Sequence, residues 1–199
     1  MIPLNFRIDH VRGGAVALAA ALLCAVPAAA QTVKERLAGC LACHGETGQS
    51  VLPQTPSLGA QPAFFLTIQM FMFREKIRGV PPMNQMMQGV SNNDIKALAE
   101  AISKLPPPQP PDGAVDTARI EAARALAGEN RCNICHGANF AGGENVPRLA
   151  AQREDYLAKT LREYKSNTRR GYDAAMADVL HAVSDEQISD LAYFLSRQR

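Results

Sequence analysis

The chain has 199 residues, with 21 Lys plus Arg against 19 Asp plus Glu, a formal net charge of +2 and 47% hydrophobic residues. A balance this close lacks the basic surplus that tracks a phosphate backbone, which argues against a nucleic-acid partner. The length suits one domain or two small ones, and composition does not choose between them.

Residues 1–30 read differently from the rest. Arg7 and Arg12 open the segment, an apolar run extends from Ala15 to Val26, and Ala28-Ala29-Ala30 follow. This is the pattern of a signal peptide cleaved after Ala30, which implies export to the periplasm. The run is about a dozen residues, where a bilayer core needs roughly twenty, so an uncleaved anchor is disfavoured. Cys24 lies within the run, but the preceding Ala21-Leu22-Leu23 lacks the small residue that lipoprotein processing wants. Beyond the leader the net charge is +1 and four cysteines remain. An even number of cysteines in an oxidising compartment ordinarily implies disulfides; their spacing points elsewhere.

A first helix over 33–42 leads into Cys40-Leu41-Ala42-Cys43-His44-Gly45. Pro56-Ser57-Leu58-Gly59-Ala60-Gln61 follows, then a middle helix over about 62–76. Next come Met83, Met86 and Met87, and a last helix that Ser91 caps through its hydroxyl. Residues 106–113, five of them proline up to Pro111, cannot continue a helix and form a stiff, extended linker.

Beyond the linker the same order returns. A helix over 117–128 leads into Cys132-Asn133-Ile134-Cys135-His136-Gly137, Pro147-Arg148-Leu149-Ala150-Ala151-Gln152 answers Pro56 to Gln61, and a middle helix runs over 153–166. Met176 through Ser196 lies over Met83 through Ser103 without a gap, and Ser184 with Gln187 forms a capping box. The chain therefore divides into a leader at 1–30, a first domain at 31–105, the linker, and a second domain at 114–199. Both domains are all-α. Units this small with loops this long bury little apolar surface alone, and a central prosthetic group would supply it.

Cys-x-x-Cys-His places two thiols one helical turn apart, able to add to both vinyl groups on one porphyrin edge while the adjoining histidine reaches the iron. A thioredoxin-like dithiol needs neither the histidine nor a second copy, and a zinc site would need all four cysteines together. The reading is two covalently attached haem c groups, held by Cys40 and Cys43 and by Cys132 and Cys135, with His44 and His136 as proximal iron ligands. A ligating histidine usually donates its second nitrogen to a fixed acceptor; Pro56 and Pro147 sit where a returning loop could present a carbonyl, or are simple turn prolines. Methionine is the natural sixth ligand of an electron-transfer haem. Met176 is the second copy's sole methionine. Met83, Met86 and Met87 compete in the first, and the gapless repeat pairs Met83 with Met176 while opposing Met86 and Met87 to Val179 and Leu180. Met70 and Met72 read as packing residues, and His181 as a surface residue.

These motifs resemble the dihaem cytochromes c of the cytochrome c4 type, two class I cytochrome c domains in tandem. The likeness spans nearly all of the chain beyond the leader and includes Pro-x-Leu-x-(Gly/Ala) and the stretch from Ser184 to Phe194. It implies two tandem cytochrome c-like haem domains, with Pro56 and Pro147 orienting the proximal histidines and Met83 and Met176 as distal ligands. Two departures stand out: Glu100-Ala101-Ile102 where the second copy has Tyr193-Phe194, and a first methionine loop unusually rich in methionine.

Comparing the middle helices exposes one further difference. Glu154, Asp155, Lys159, Arg162 and Glu163 are answered by Ala63, Phe64, Ile68, Phe71 and Met72. An apolar patch in place of a solvated face marks an interaction site or burial on the second domain. The functional expectation is a periplasmic electron carrier or relay, not itself an enzyme. Its redox partners include a flavoprotein or membrane oxidoreductase docking on the Phe64/Ile68/Phe71/Met72 face. The alternative is the cytochrome subunit of a periplasmic dehydrogenase, such as a flavoprotein oxidising sulfide. A dihaem enzyme would need an open or unusual iron ligand, and both copies offer a methionine.

Overall fold

The computed structural model describes residues 32–169, 171 and 174–199; the proposed signal peptide lies outside them. Among the described residues the regular structure is helical, with one isolated bridge between Gly143 and Val146. Residues Gln31–Arg199 form one compact unit.

In the first half, α1 (Val33–His44) begins at Thr32, whose hydroxyl accepts the Glu35 N–H while the Glu35 carboxylate takes the Thr32 N–H, a capping box. Next come α2 (Ala63–Arg74), α3 (Pro81–Met86) and α4 (Asn92–Ser103), the last capped by Ser91. The second half repeats the order with α5 (Thr117–Glu129), α6 (Cys132–His136), α7 (Glu154–Lys165), α8 (Ala175–His181) and α9 (Asp185–Ser196). Ser184 and Gln187 complete a capping box at α9. The middle and last helices therefore fall where periodicity puts them. The short helices α3 and α8 are new, and both carry a candidate methionine.

In each half the first helix crosses the last, and the middle helix packs on the last. Leu66, Met70, Ile95, Leu98, Ala99 and Ile102 are buried in the first core. Leu157, Leu161, Ile188, Leu191, Ala192 and Leu195 are buried in the second, each at the repeat-equivalent position. Side chains of this kind contribute about 1.5–3 kcal/mol each on burial, so conserving the set position by position conserves the fold.

Two local differences separate the copies. Arg131 adopts φ 54°, left-handed, and breaks the second copy's first helix just before Cys132, whereas α1 runs unbroken into its motif. Phe194 is buried edge-on against Phe140 with ring centroids 5.6 Å apart, and the Tyr193 hydroxyl accepts from the Asp116 N–H at the start of α5. The first copy has Ala101 and Glu100 there and lacks both contacts.

The proline-rich segment is laid along the first half instead of standing free. Gln49 donates to the Gln109 carbonyl and accepts from the Gln109 N–H, at 3.1 and 3.0 Å. The Pro106 carbonyl lies so close to Gly59 that a Cβ there would collide with it.

Candidate haem site

The last turn of α1 carries Cys40, Cys43 and His44, and α6 carries Cys132, Cys135 and His136. Cys43 and Cys135 are exposed, while Cys40 and Cys132 are partly buried. Burial pushes the Cys40 and Cys132 thiols up from their ordinary value. Gly45 and Gly137 follow at φ 87° and 80°, a region where only glycine is unstrained, and at Gly45 a Cβ would strike the Gln49 carbonyl.

Both histidines are buried. His44 Nδ1 lies 2.8 Å from the Pro56 carbonyl and His136 Nδ1 lies 2.9 Å from that of Pro147. A carbonyl only accepts, so Nδ1 carries the proton and Nε2 keeps its lone pair for a metal. Burial lowers both imidazole pKa values, opposed by those same hydrogen bonds. Each ring is thereby held neutral, as a ligand must be.

Met83 and Met176 are partly buried and line a cavity that runs between the two halves, as His44 does. Met87 is only 3% exposed and belongs to the first core, although its side chain also reaches the cavity wall. Met86 is 49% exposed and approaches Gly39 on α1. Met70 is buried as core packing, and His181 is exposed.

The cavity is lined by apolar side chains from both halves, including Leu58, Leu66, Phe73, Leu149 and Leu157. Sequence reasoning assigned no role to three polar residues that also line it: Arg78, Arg169 and Tyr156. Arg78 donates from Nη2 to the Tyr156 hydroxyl at 3.3 Å and from Nη1 to Gln69 Oε1 at 2.7 Å. Arg169 is buried, pairs with Glu163 at 3.0 Å and stacks over the Tyr164 ring. Burial alone would push Tyr156 up, but the charges of Arg78 and Arg169 outweigh it and bring the phenol down to about 8. Arg78 and Arg169 stand at equivalent places after the two middle helices, a signal the repeat contained. A partly buried tyrosine shared by both is visible only in three dimensions.

The halves are joined by two side-chain amides at equivalent positions. Gln61 accepts the Arg148 N–H at 3.0 Å and donates to the Arg148 carbonyl at 2.9 Å. Gln152 accepts the Ser57 N–H at 2.7 Å and donates to the Ser57 carbonyl at 2.8 Å. Both glutamines are buried.

The apolar stripe of α2 divides between two environments. Phe64 and Phe71 are 58% and 43% exposed, whereas Ile68 and Met72 are partly buried. The Met72 sulfur lies close to Gly171 of the second half, so this residue turns inward.

Each half offers two thiols one turn apart and a buried, neutral histidine with Nε2 free, and the apolar cavity, lined by Cys40, His44, Met83 and Met176, fits a haem c. The family model for cytochrome c matches residues 120–198, the second half. A thiosulfate dehydrogenase electron acceptor from Thiomonas intermedia (strain K12) is 33% identical over 197 residues, covering 92% of this chain and 89% of that protein. Cytochrome c4 of Thiocapsa roseopersicina is 28% identical over 167 residues, covering 78% of this chain and 85% of its own length. The chain belongs to the cytochrome c4-type dihaem cytochromes. The solved structure of Acidithiobacillus ferrooxidans cytochrome c4 superposes with a TM-score of 0.71 at 25% identity, covering 80% of this chain and 98% of that one. Cytochrome c4-type proteins pair two all-α haem domains, and that is the architecture here. This cytochrome c4-type chain carries covalently bound haem c and transfers electrons. No helix among the described residues is long and apolar enough to cross a membrane.

Proposed function

We propose that the chain is a periplasmic relay, exported by residues 1–30, whose domains at 31–105 and 114–199 each hold one haem. Cys40 and Cys43 attach the first and Cys132 and Cys135 the second. His44 and His136 are the proximal ligands, oriented by the Pro56 and Pro147 carbonyls, and Met83 and Met176 are the distal ligands. The observation that carries this reading is the pair of histidine–proline hydrogen bonds at 2.8 and 2.9 Å, each directly after a Cys-x-x-Cys pair.

When bound, haem c supplies a one-electron iron couple whose potential histidine–methionine ligation raises, suiting it to transfer and not to substrate turnover. The chain's residues fix the imidazole tautomer and supply an apolar cavity, and Arg78 and Arg169, which line it, would offer cations to the haem carboxylates. On this reading the chain itself transforms no substrate. Oxidised protein should therefore stay oxidised with thiosulfate alone and be reduced when a thiosulfate dehydrogenase is added. Reduction by thiosulfate without that enzyme would overturn the non-enzymatic reading.

A dedicated subunit of a dehydrogenase complex is the second reading, favoured by the likeness to a thiosulfate dehydrogenase electron acceptor. The exposed Phe64 and Phe71 of α2 are its docking anchors on a redox protein partner, since the second domain leaves them uncovered. Gel filtration of a native-cell extract, following haem absorbance and this polypeptide together, separates the two. Elution at the size of the chain or its dimer favours a free carrier, and co-elution with a larger oxidoreductase favours the subunit.

A further inference from the structure

The two glutamine pairs do more than join the domains, because of which peptide groups they hold. Gln152, in the second domain, accepts from the Ser57 N–H. That N–H belongs to the same peptide group as the Pro56 carbonyl, which accepts from His44 Nδ1 in the first domain. A continuous chain of hydrogen bonds thus runs from the Gln152 amide through one peptide to the first proximal histidine. The reciprocal chain runs from Gln61, in the first domain, through the Arg148 N–H and the Pro147 carbonyl to His136 in the second.

We propose that Gln152 and Gln61 are positioning residues that each tune the haem of the opposite domain. Consecutive hydrogen bonds polarise one another, so donation by a peptide N–H makes its own carbonyl a stronger acceptor. A stronger acceptor at Nδ1 raises the basicity of a ligating histidine and stabilises the oxidised metal. Burial keeps water from substituting for the glutamines: Gln61, Gln152 and Ser57 are each at most 5% exposed. The backbone also places them deliberately. Ala60 and Ala151, immediately before the two glutamines, both adopt left-handed φ near 52° and 55°, an uncommon state for a residue with a Cβ. Each domain's sequence therefore carries a determinant of the other's potential.

The inference rests on His44 and His136 being iron ligands, which is read first on the oxidised parent from the spectral signature of histidine–methionine ligation. Its absence would overturn the ligand assignment, and with it the inference; its presence leaves the relay to be decided by the variants. The test itself is a redox titration of the holoprotein followed by paramagnetic NMR, with each haem's methyl signals assigned to its own domain. Gln152→Met keeps the side-chain length and removes the amide; it should shift the first haem to a more positive potential and leave the second in place. Gln61→Met should do the opposite. A shift in the same-domain haem, equal shifts in both, or no shift in either would overturn the proposal. Loss of domain packing alone would move both haems together, so the crossed pattern is diagnostic. Should one variant fail to take up haem, the other reads the same relay from the opposite side.

Discussion

Met83 lies within α3 and Met87 caps its C-terminus one turn later, the Met87 N–H donating to the Met83 carbonyl. Their surroundings differ: Met87 is enclosed by the first core, while Met83 borders the cavity. Met83→Ala should abolish methionine ligation of the first haem while the second keeps its own, as seen in the oxidised NMR spectrum. Met87→Ala should keep ligation and lower stability by about 2–5 kcal/mol through the cavity it leaves, and Met86→Ala should change neither. A first haem that loses its methionine signals in the Met87 variant would reassign the ligand. A second residue-scale prediction concerns Tyr156. Its folded pKa of about 8 lies below the ordinary value of 10, so its contribution to stability is complete above pH 10 and is lost as pH falls through 8. Arg78→Gln removes one of the cations favouring the phenolate, and the tyrosine should then titrate at higher pH by ultraviolet absorbance. Cysteines and histidines were legible at this scale because covalent attachment fixes their spacing. Arg78 and the relaying role of the glutamines were not, because Tyr156 lies 78 residues from Arg78 and the glutamines' partners lie 87 and 95 residues away; Arg169 has near neighbours in Glu163 and Tyr164, but the cavity it lines needs the other half.

At the scale of elements, periodicity located α2 and α7 to within two residues at either end, and the capping serines Ser91 and Ser184 located the starts of α4 and α9. Ser184→Ala removes the hydroxyl that accepts the Gln187 N–H, and should cost about 1 kcal/mol, read as a lowered Tm of the holoprotein. The short α3 went unread because Pro81-Pro82 signal a loop in sequence. Proline is nonetheless at home in a first helical turn, where the missing N–H would be unpaired anyway. The break between α5 and α6 was equally hidden, since nothing about Arg131 in sequence announces a left-handed residue. The linker's extended character was legible from its prolines, and its docking was not. That docking depends on Gln49, sixty residues earlier, finding the backbone of Gln109.

Across the whole molecule, the repeat preserves buried positions and lets surfaces diverge. Arg162, at the position equivalent to Phe71, is exposed and lies 3.8 Å from Asp185, a solvated arrangement of little energetic weight. Phe71 in the first domain is instead an apolar side chain facing water, with only the Arg74 guanidinium 5.2 Å from its ring centre. Phe71→Glu should leave both haem spectra unchanged and the unfolding free energy within about 0.5 kcal/mol of the parent, as surface changes do. It should also slow reduction by the partner dehydrogenase in stopped-flow mixing; an unchanged rate would remove this face from the docking surface.

The divergence of α2 from α7 has a consequence for direction. Two identical halves would meet a donor equally well by either end, and an electron could leave the way it came. If a partner meets the exposed Phe64 and Phe71 of α2 while Arg162, the equivalent of Phe71 on α7, stays solvated, encounter is sorted before any transfer occurs, and one haem of the pair would be the marked terminal of a two-step conductor.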